Sequence, residues 1–350
     1  MSPLSAADIY EHPEFDGVIW KVKPALEGKA TVAAGRRGGP LQLAYEIHGE
    51  GPTRLVWIIG LGGWMSAWQR QIKDFGHSQN TNRGQSSKYT NLIFDPRGMG
   101  KSDKPLTRYS TSEMAKDTLE LIDHVGWTRT RQLHVIGSSM GGMIAQELAC
   151  IVPERIASLT LLASAPRIFN TIGWVQNLRD RINLLYVQCR RLNFGTDGVT
   201  RIPKEIDTQV EDTKQRLFSS EWLNEPDSEG HFPTNGDRFK AYELKKRQDP
   251  EGYTRKGFLM QALAAGWHNV SPRQLRNLSE QVGGERIQVI HGTADRMLPF
   301  PLGETLAKEL GQVTFIVVDG RSHALQWEWR RGLTKAVAAL VEKAEIMTTG

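Results

Sequence analysis

The stretch QLHVIGSSMGGMIAQELAC, Gln132 to Cys150, decides how the rest of the chain is read. It begins as a short apolar run that closes on glycine, as a buried strand does. It then passes through small residues and continues with apolar side chains at three- and four-residue spacing, the mark of a helix. At the junction stands Gly137-Ser138-Ser139-Met140-Gly141, a G-x-S-x-G pattern in strand–turn–helix context. Only Ser139 fits the frame, because centring it on Ser138 would require glycines at Ile136 and Met140. A serine on so sharp a turn is expected at strained dihedrals, with flanking positions too crowded for side chains. The helix that follows offers unpaired N–H groups to developing negative charge. Ser139 is therefore the candidate nucleophile.

Working outward, the same strand form recurs. RLVWIIG (Arg54 to Gly60), NLIFD (Asn91 to Asp95), ASLTLLA (Ala157 to Ala163), IQVIHG (Ile287 to Gly292) and VTFIVVD (Val313 to Asp319) are all short apolar runs. Helical periodicity fills Trp64 to Phe75, Thr111 to Val125 and Met140 to Ile151. Strands alternating with helices predict βαβ units and an α/β fold with a mostly parallel sheet flanked by helices. Alternation on both sides of Arg36 to Pro40 predicts an antiparallel hairpin at one edge, starting from Thr31. The beat stops at Pro166 and resumes after Val270. Residues 166–270 are thus expected to be a helical cap inserted into a core made of 31–165 and 271–350, with 1–30 irregular.

A serine hydroxyl needs a base. Asp295 follows the IQVIHG strand and His323 follows the VTFIVVD strand, so both fall at the strand edge that carries Ser139. Ligands of open α/β sheets bind along that edge. The order Ser139, Asp295, His323 also suits this architecture. Asp319 is a rival acid, but it lies four residues before His323 on the same loop and is expected to cap that turn. The segment after ASLTLLA, Ser164-Ala165-Pro166, offers no carboxylate. Acyl transfer also needs two oxyanion donors. Met140 N–H is the first, and the glycine-rich Gly60-Leu61-Gly62-Gly63 supplies Leu61 N–H as the second.

These motifs resemble the α/β-hydrolase superfamily, in its branch of capped, esterase- and lipase-like serine hydrolases. The segment Asp95-Pro96-Arg97-Gly98-Met99-Gly100-Lys101-Ser102 adds to the likeness, being similar to the family's D-x-R-G-x-G-x-S loop. The resemblance implies a Ser139–His323–Asp295 triad, oxyanion donors at Leu61 and Met140, and no cofactor or metal. Relatives commonly carry His-Gly before the oxyanion residue, where this chain has Ile59-Gly60.

The expected reaction is cleavage of a carboxylic ester, a lactone or a lipid-like acyl substrate through an acyl-enzyme. Transfer of the acyl group to another acceptor, C–C bond hydrolysis or a lyase reaction, and a non-catalytic binding role are the competing readings. Aromatic residues of the cap, among them Trp174, Phe218, Trp222, Phe258 and Trp267, are candidates for the substrate wall, with Trp174, Trp222 and Trp267 singled out as contacts.

Composition bounds the rest. Hydrophobic residues make up 39% and charged ones 24% of 350, a globular balance with a formal charge of +5. No dense Lys/Arg run with interleaved aromatics speaks for nucleic acid, and the mild basicity admits at most weak contact with an anionic membrane surface. Lys245-Lys246-Arg247 reads as a solvated helix face. Two cysteines make no disulfide framework. The N-terminus lacks a secretory profile, and no apolar run reaches the ~20 residues of a membrane span. The expectation is a cytoplasmic protein with a small-molecule acyl substrate.

Overall fold

The structure, a computed structural model, describes residues 3–77, 88–168 and 203–349. Its centre is one eight-stranded sheet. In chain order the strands are β1 (Leu26–Val32), β2 (Leu41–His48), β3 (Thr53–Ile58), β4 (Tyr89–Phe94), β5 (Leu133–Ser138), β6 (Ile156–Leu162), β7 (Ile287–Gly292) and β8 (Thr314–Val318). In space they run β1-β2-β4-β3-β5-β6-β7-β8. The β1–β2 and β2–β4 pairs are antiparallel and all others parallel. Every residue of β4, β5, β6 and β7 is buried, which is why these strands read as unbroken apolar runs. The edge strand β8 is only partly covered, with Val318 its one buried residue.

Alternation along each strand divides the core between the two sheet faces. Val135, Leu161 and Val289 face one cluster, packed by helices α3 (Thr111–His124), α4 (Met140–Ile151), α9 (Pro272–Val282) and α10 (Phe300–Leu310). Their neighbours Ile136, Leu162 and Ile290 face the other, packed by α2 (Gln69–Gly76) and α12 (Arg330–Thr349). Cys150, near the end of α4, is half-buried, and burial pushes its thiol up to about 11. Cys189 lies outside the described residues.

The inserted segment leaves the sheet after β6 and returns before α9 at one narrow neck. Val270 N–H donates to Pro166 O at 2.9 Å, and Arg167 and Asn269 form a β-bridge there. Four helices of this cap are described: α5 (Pro203–Leu217), α6 (Ser220–Asn224), α7 (Asn235–Arg247) and α8 (Arg255–Gly266). Side-chain hydroxyls of Ser219, Thr234 and Thr254 cap three of them by accepting N–H bonds from the first turn.

The N-terminal 1–30 departs from the expected irregular segment. It contains α1 (Ala6–Tyr10), and β1 begins at Leu26 rather than Thr31. Ile9, Phe15 and Val18 pack into the aromatic core of the cap with Phe218, Trp222 and Phe239. Leu4 N–H donates to Asp237 Oδ1 at 2.9 Å, and Lys240 Nζ returns a bond to Leu4 O at 2.7 Å. Five-residue α1 is too short for its periodicity to stand out in the sequence, and its apolar partners come from residues about 200 positions away.

Candidate active site

The parallel register brings the candidate residues to one edge. Ile58 of β3 pairs with Gly137 of β5, which sets the Gly60 loop against Ser139. Strand order reverses between β3 and β5, the switch point where open α/β sheets leave a crevice. Gly292 of β7 pairs with Val318 of β8, which sets the Asp295 and His323 loops side by side.

Ser139 occupies the turn between β5 and α4 with φ 57° and ψ −121°, a left-handed conformation that a non-glycine residue holds only under constraint. The constraint is visible. Ser139 N–H donates to Leu162 O at 2.8 Å, and Ser164 Oγ donates to Ser139 O at 3.0 Å. A methyl group on Gly142 would approach Ser164 Cβ to 2.6 Å, while Gly137 and Gly141 pack directly on neighbouring backbone. These contacts explain the glycines of the motif.

His323 and Asp295 are both buried, and His323 Nδ1–H donates to Asp295 Oδ2 at 2.8 Å. The other carboxylate oxygen accepts from Met297 N–H at 2.8 Å and Leu298 N–H at 2.9 Å. His291 Nε2–H donates to Leu298 O at 2.8 Å and sits 3.2 Å from Asp295 Oδ2. Burial by itself would raise the Asp295 carboxyl. The charges of His323 and His291 and the bonds they donate outweigh it, so Asp295 is held well below the usual carboxylate range. Asp319 is exposed and accepts from Thr293 Oγ1 at 3.0 Å, bracing the turn.

Ser139, Met140, Leu61 and His323 line one cavity of about 200 Å³. Among the described residues, no hydrogen bond joins Ser139 Oγ to His323 Nε2, a contact that often tightens only once substrate is bound. The N–H groups of Met140, at the first position of α4, and of Leu61 are candidates for an oxyanion. Gly60 packs so closely that a methyl group there would reach Ser139 Cβ at 2.9 Å. Asp95 ties the start of the short helical turn that follows this loop to Lys101. Its carboxylate accepts from Met65 N–H at 2.8 Å and Lys101 N–H at 2.9 Å, and burial pushes its carboxyl up to about 6.

Two positioning residues escaped the sequence reading. Gln261 of α8, fully buried, accepts from Gly62 N–H at 3.0 Å and donates to Arg97 O at 2.9 Å, tying the cap to the Gly60–Gly63 loop. Glu328, on the short helix α11 (Leu325–Glu328), accepts from Ser322 N–H at 3.1 Å and from Ser219 N–H at 2.7 Å. It joins the His323 loop to the cap, and burial pushes its carboxyl up. Neither residue stands in a local motif, because its partners lie in other elements.

The aromatic expectations divide. Phe218 and Phe258 line the cavity. Trp222 does not; it stacks behind Phe218 with ring centroids 4.6 Å apart, inside the cap core. Trp267 is 51% exposed and does not line the cavity. Trp174 lies outside the described residues. Lys246, expected on a solvated face, is only 5% exposed and borders the cavity. No group of three or more His, Cys, Asp or Glu among the described residues is placed to hold a metal. No described helix is long and apolar enough to cross a membrane.

Residues 53–328 match the model of the α/β hydrolase fold family. The chain belongs to that family. A provisionally named carbamate hydrolase, RutD, of Azorhizobium caulinodans is 32% identical over 147 residues, which is 42% of this chain and 50% of that protein. The 3-oxoadipate enol-lactonase 2 of Acinetobacter baylyi is 31% identical over 152 residues, 43% of this chain and 51% of that one. The chain thus spans about half the length of these curated relatives. A thermophilic esterase of Thermogutta terrifontis superposes with a TM-score of 0.68 at 21% identity, covering 91% of this chain and 99% of the other, and shares its fold.

Proposed function

We propose that the chain is a serine hydrolase that cleaves a carboxylic ester or lactone. The observation that carries this reading is the His323 Nδ1–Asp295 bond, which leaves Nε2 as the basic nitrogen beside a cavity shared with a strained Ser139.

His323 Nε2 takes the Ser139 proton as Oγ attacks the acyl carbon. The carbonyl electron pair moves onto oxygen, where Leu61 and Met140 N–H groups receive it. Asp295 keeps the imidazole in the Nδ1–H tautomer and stabilises the imidazolium; its depressed carboxyl keeps it ionised for that role. Collapse passes the proton from Nε2 to the leaving oxygen and gives an acyl-enzyme. Water, deprotonated by the same nitrogen, then releases the acid and restores Ser139. The cavity is small and lined largely by apolar side chains such as Met143, Phe218 and Phe258, which suits a short acyl part. Likeness to an enol-lactonase supports the ester and lactone class.

Labelling with a fluorophosphonate probe tests the assignment. The wild-type chain is expected to label at a single serine and Ser139→Ala not at all. Undiminished labelling of Ser139→Ala would refute it.

A further inference from the structure

His291, the next-to-last residue of β7, is fully buried and does not line the cavity. Helix α10 covers its ring with groups that offer no hydrogen bond. Phe300 meets it edge-on with centroids 6.1 Å apart, and a methyl group on Gly303 would lie 2.3 Å from Nδ1. Nδ1 is buried without a partner. A buried nitrogen left unpaired costs stability, and leucine or methionine would fill similar space without that cost. The ring therefore needs another reason to stand there.

Its other nitrogen supplies that reason. Leu298 O stands 2.8 Å and Asp295 Oδ2 3.2 Å from His291 Nε2. Both are acceptors, so Nε2 carries the hydrogen, with Leu298 O its principal partner and Oδ2 a second, longer one. Leu298 N–H in turn donates to Asp295 Oδ1 at 2.9 Å, so His291, Leu298 and Asp295 close a small ring of contacts. His323 Nδ1–H uses the same Oδ2 at 2.8 Å. One carboxylate oxygen thus faces two imidazoles. The positive end of the His291 N–H dipole beside Oδ2 offsets part of the charge that Asp295 presents to His323.

We propose that His291 is a positioning residue for the acid of the triad: it holds the Asp295 turn through Leu298 and weakens the grip of Asp295 on protonated His323. His323 then serves as a free base at lower pH than Asp295 alone would permit. This deepens the serine-hydrolase reading and rests on it. The ionisable groups around His323 come from three elements. Asp295 follows β7, Glu328 of α11 acts through Ser322 N–H at 3.1 Å, and Glu243 and Lys246 of α7, paired with each other at 2.6 Å, stand across the cavity. Arg321, two residues before His323, is held by Glu225 at 3.0 Å. Among the described residues, Asp295 is the acid bonded to the His323 ring and the acid in contact with the His291 ring. The other groups stay the same when His291 is replaced, so a difference between variants reads His291 itself.

The test reads the acid limb of kcat/KM against pH on p-nitrophenyl acetate. Beside it, NMR of isotope-labelled histidine follows the midpoint at which the His323 ring titrates, assigned with His323→Gln. His291→Leu should move limb and midpoint to higher pH by roughly half a unit to one unit, the scale of one hydrogen bond to an ionised group. His291→Gln, which keeps an N–H donor, should move them less. Gly303→Ala, whose methyl drives the ring from its place, should move them in the same direction as leucine does. A side chain that only packs would lower kcat/KM alike at every pH and leave limb and midpoint unmoved; that result overturns the proposal, as does a move to lower pH. If the variants fail to fold, the wild-type spectrum decides: the His291 hydrogen is expected on Nε2, and a bare Nε2 with the hydrogen on Nδ1 overturns the proposal. Fluorophosphonate labelling separates the two readings. A labelled enzyme whose limb is unmoved in His291→Leu overturns the His291 role alone. If labelling and turnover are both absent, the serine-hydrolase reading fails, and the His323 midpoint then decides: a higher value in His291→Leu sustains the effect on Asp295, and an equal or lower one overturns it.

Discussion

The two walls of the cavity are built by opposite means. On the sheet side, Leu61, Ser139, Asp295 and His323 come from four separate loops, each following a parallel strand and each clamped by backbone hydrogen bonds. On the cap side, α7 alone delivers Phe239, Tyr242, Glu243 and Lys246. Sheet register fixes distances between residues far apart in sequence, so the proposed reacting groups stand on the stiffer wall. A helix face presents neighbours three and four residues apart, and its side chains can change without disturbing strand pairing. Under the proposed function, the comparison puts chemistry on the sheet side and leaves selectivity to the inserted helices.

The largest effect that can break this division is at Asp295. Asp295→Asn should lower kcat/KM by about 10⁴-fold, since the wrong imidazole tautomer is then favoured, while Asp319→Asn should stay within a few-fold. The reverse order in ester-hydrolysis assays would move the acid to the exposed turn. Next, Gly60→Ala forces its methyl against Ser139 Cβ and should cost about 10²–10³ in kcat through the displaced oxyanion donor. An unchanged kcat would show that the loop yields more readily than its packing implies.

Stability should separate the cap residues. Trp222→Ala removes a buried ring from the cap core and should destabilise by about 3–5 kcal/mol in denaturant unfolding. Trp267→Ala should lie within about 0.5 kcal/mol of wild type, and a clear effect of it on kcat/KM would place that side chain in the site after all.

A last expected effect is a pH slope. His268, buried at the neck and bonded through Nδ1 to Thr111 Oγ1 at 2.9 Å, is pushed by burial from 6.5 down to about 3. Between those values the unfolded chain binds the proton and the folded chain does not. Its contribution to stability is therefore complete above 6.5 and lost as pH falls toward 3. Asp295 acts in the same direction, but only below its ordinary value of 3.8. Asp95 and Glu328, whose carboxyls burial raises, act in the opposite direction over the same range, so the test is a difference: between about pH 7 and pH 4.5 His268→Gln should lose less melting temperature than wild type. An identical slope in the variant would assign it to other groups.

The legible parts of the molecule are those whose reason is local. Ser139 was readable because its turn demands glycines at fixed offsets, and β4 to β7 because strands buried on both faces must be apolar throughout. Asp295 and His323 were readable as strand-end residues, though their 2.8 Å bond depends on the pairing of β7 with β8. Lys246 is buried where its Lys-Lys-Arg run predicts a solvated charge, because such a run looks the same on a surface as in a buried interface. Only the packing of α7 against the Gly60–Gly63 loop distinguishes them.

Local sequence therefore sets the α/β fold, the glycine-framed turn of Ser139 and the strand ends on which its candidate partners stand, since backbone sterics and hydrophobic period write those features into neighbouring residues. Tertiary structure alone decided that α1 and the N-terminal segment complete the cap core, that Gln261 and Glu328 tie cap to loops, and that Trp222 is buried behind the cavity while Lys246 lines it. Those outcomes rest on contacts between residues tens to hundreds of positions apart, and no local pattern records which distant surface a side chain will meet.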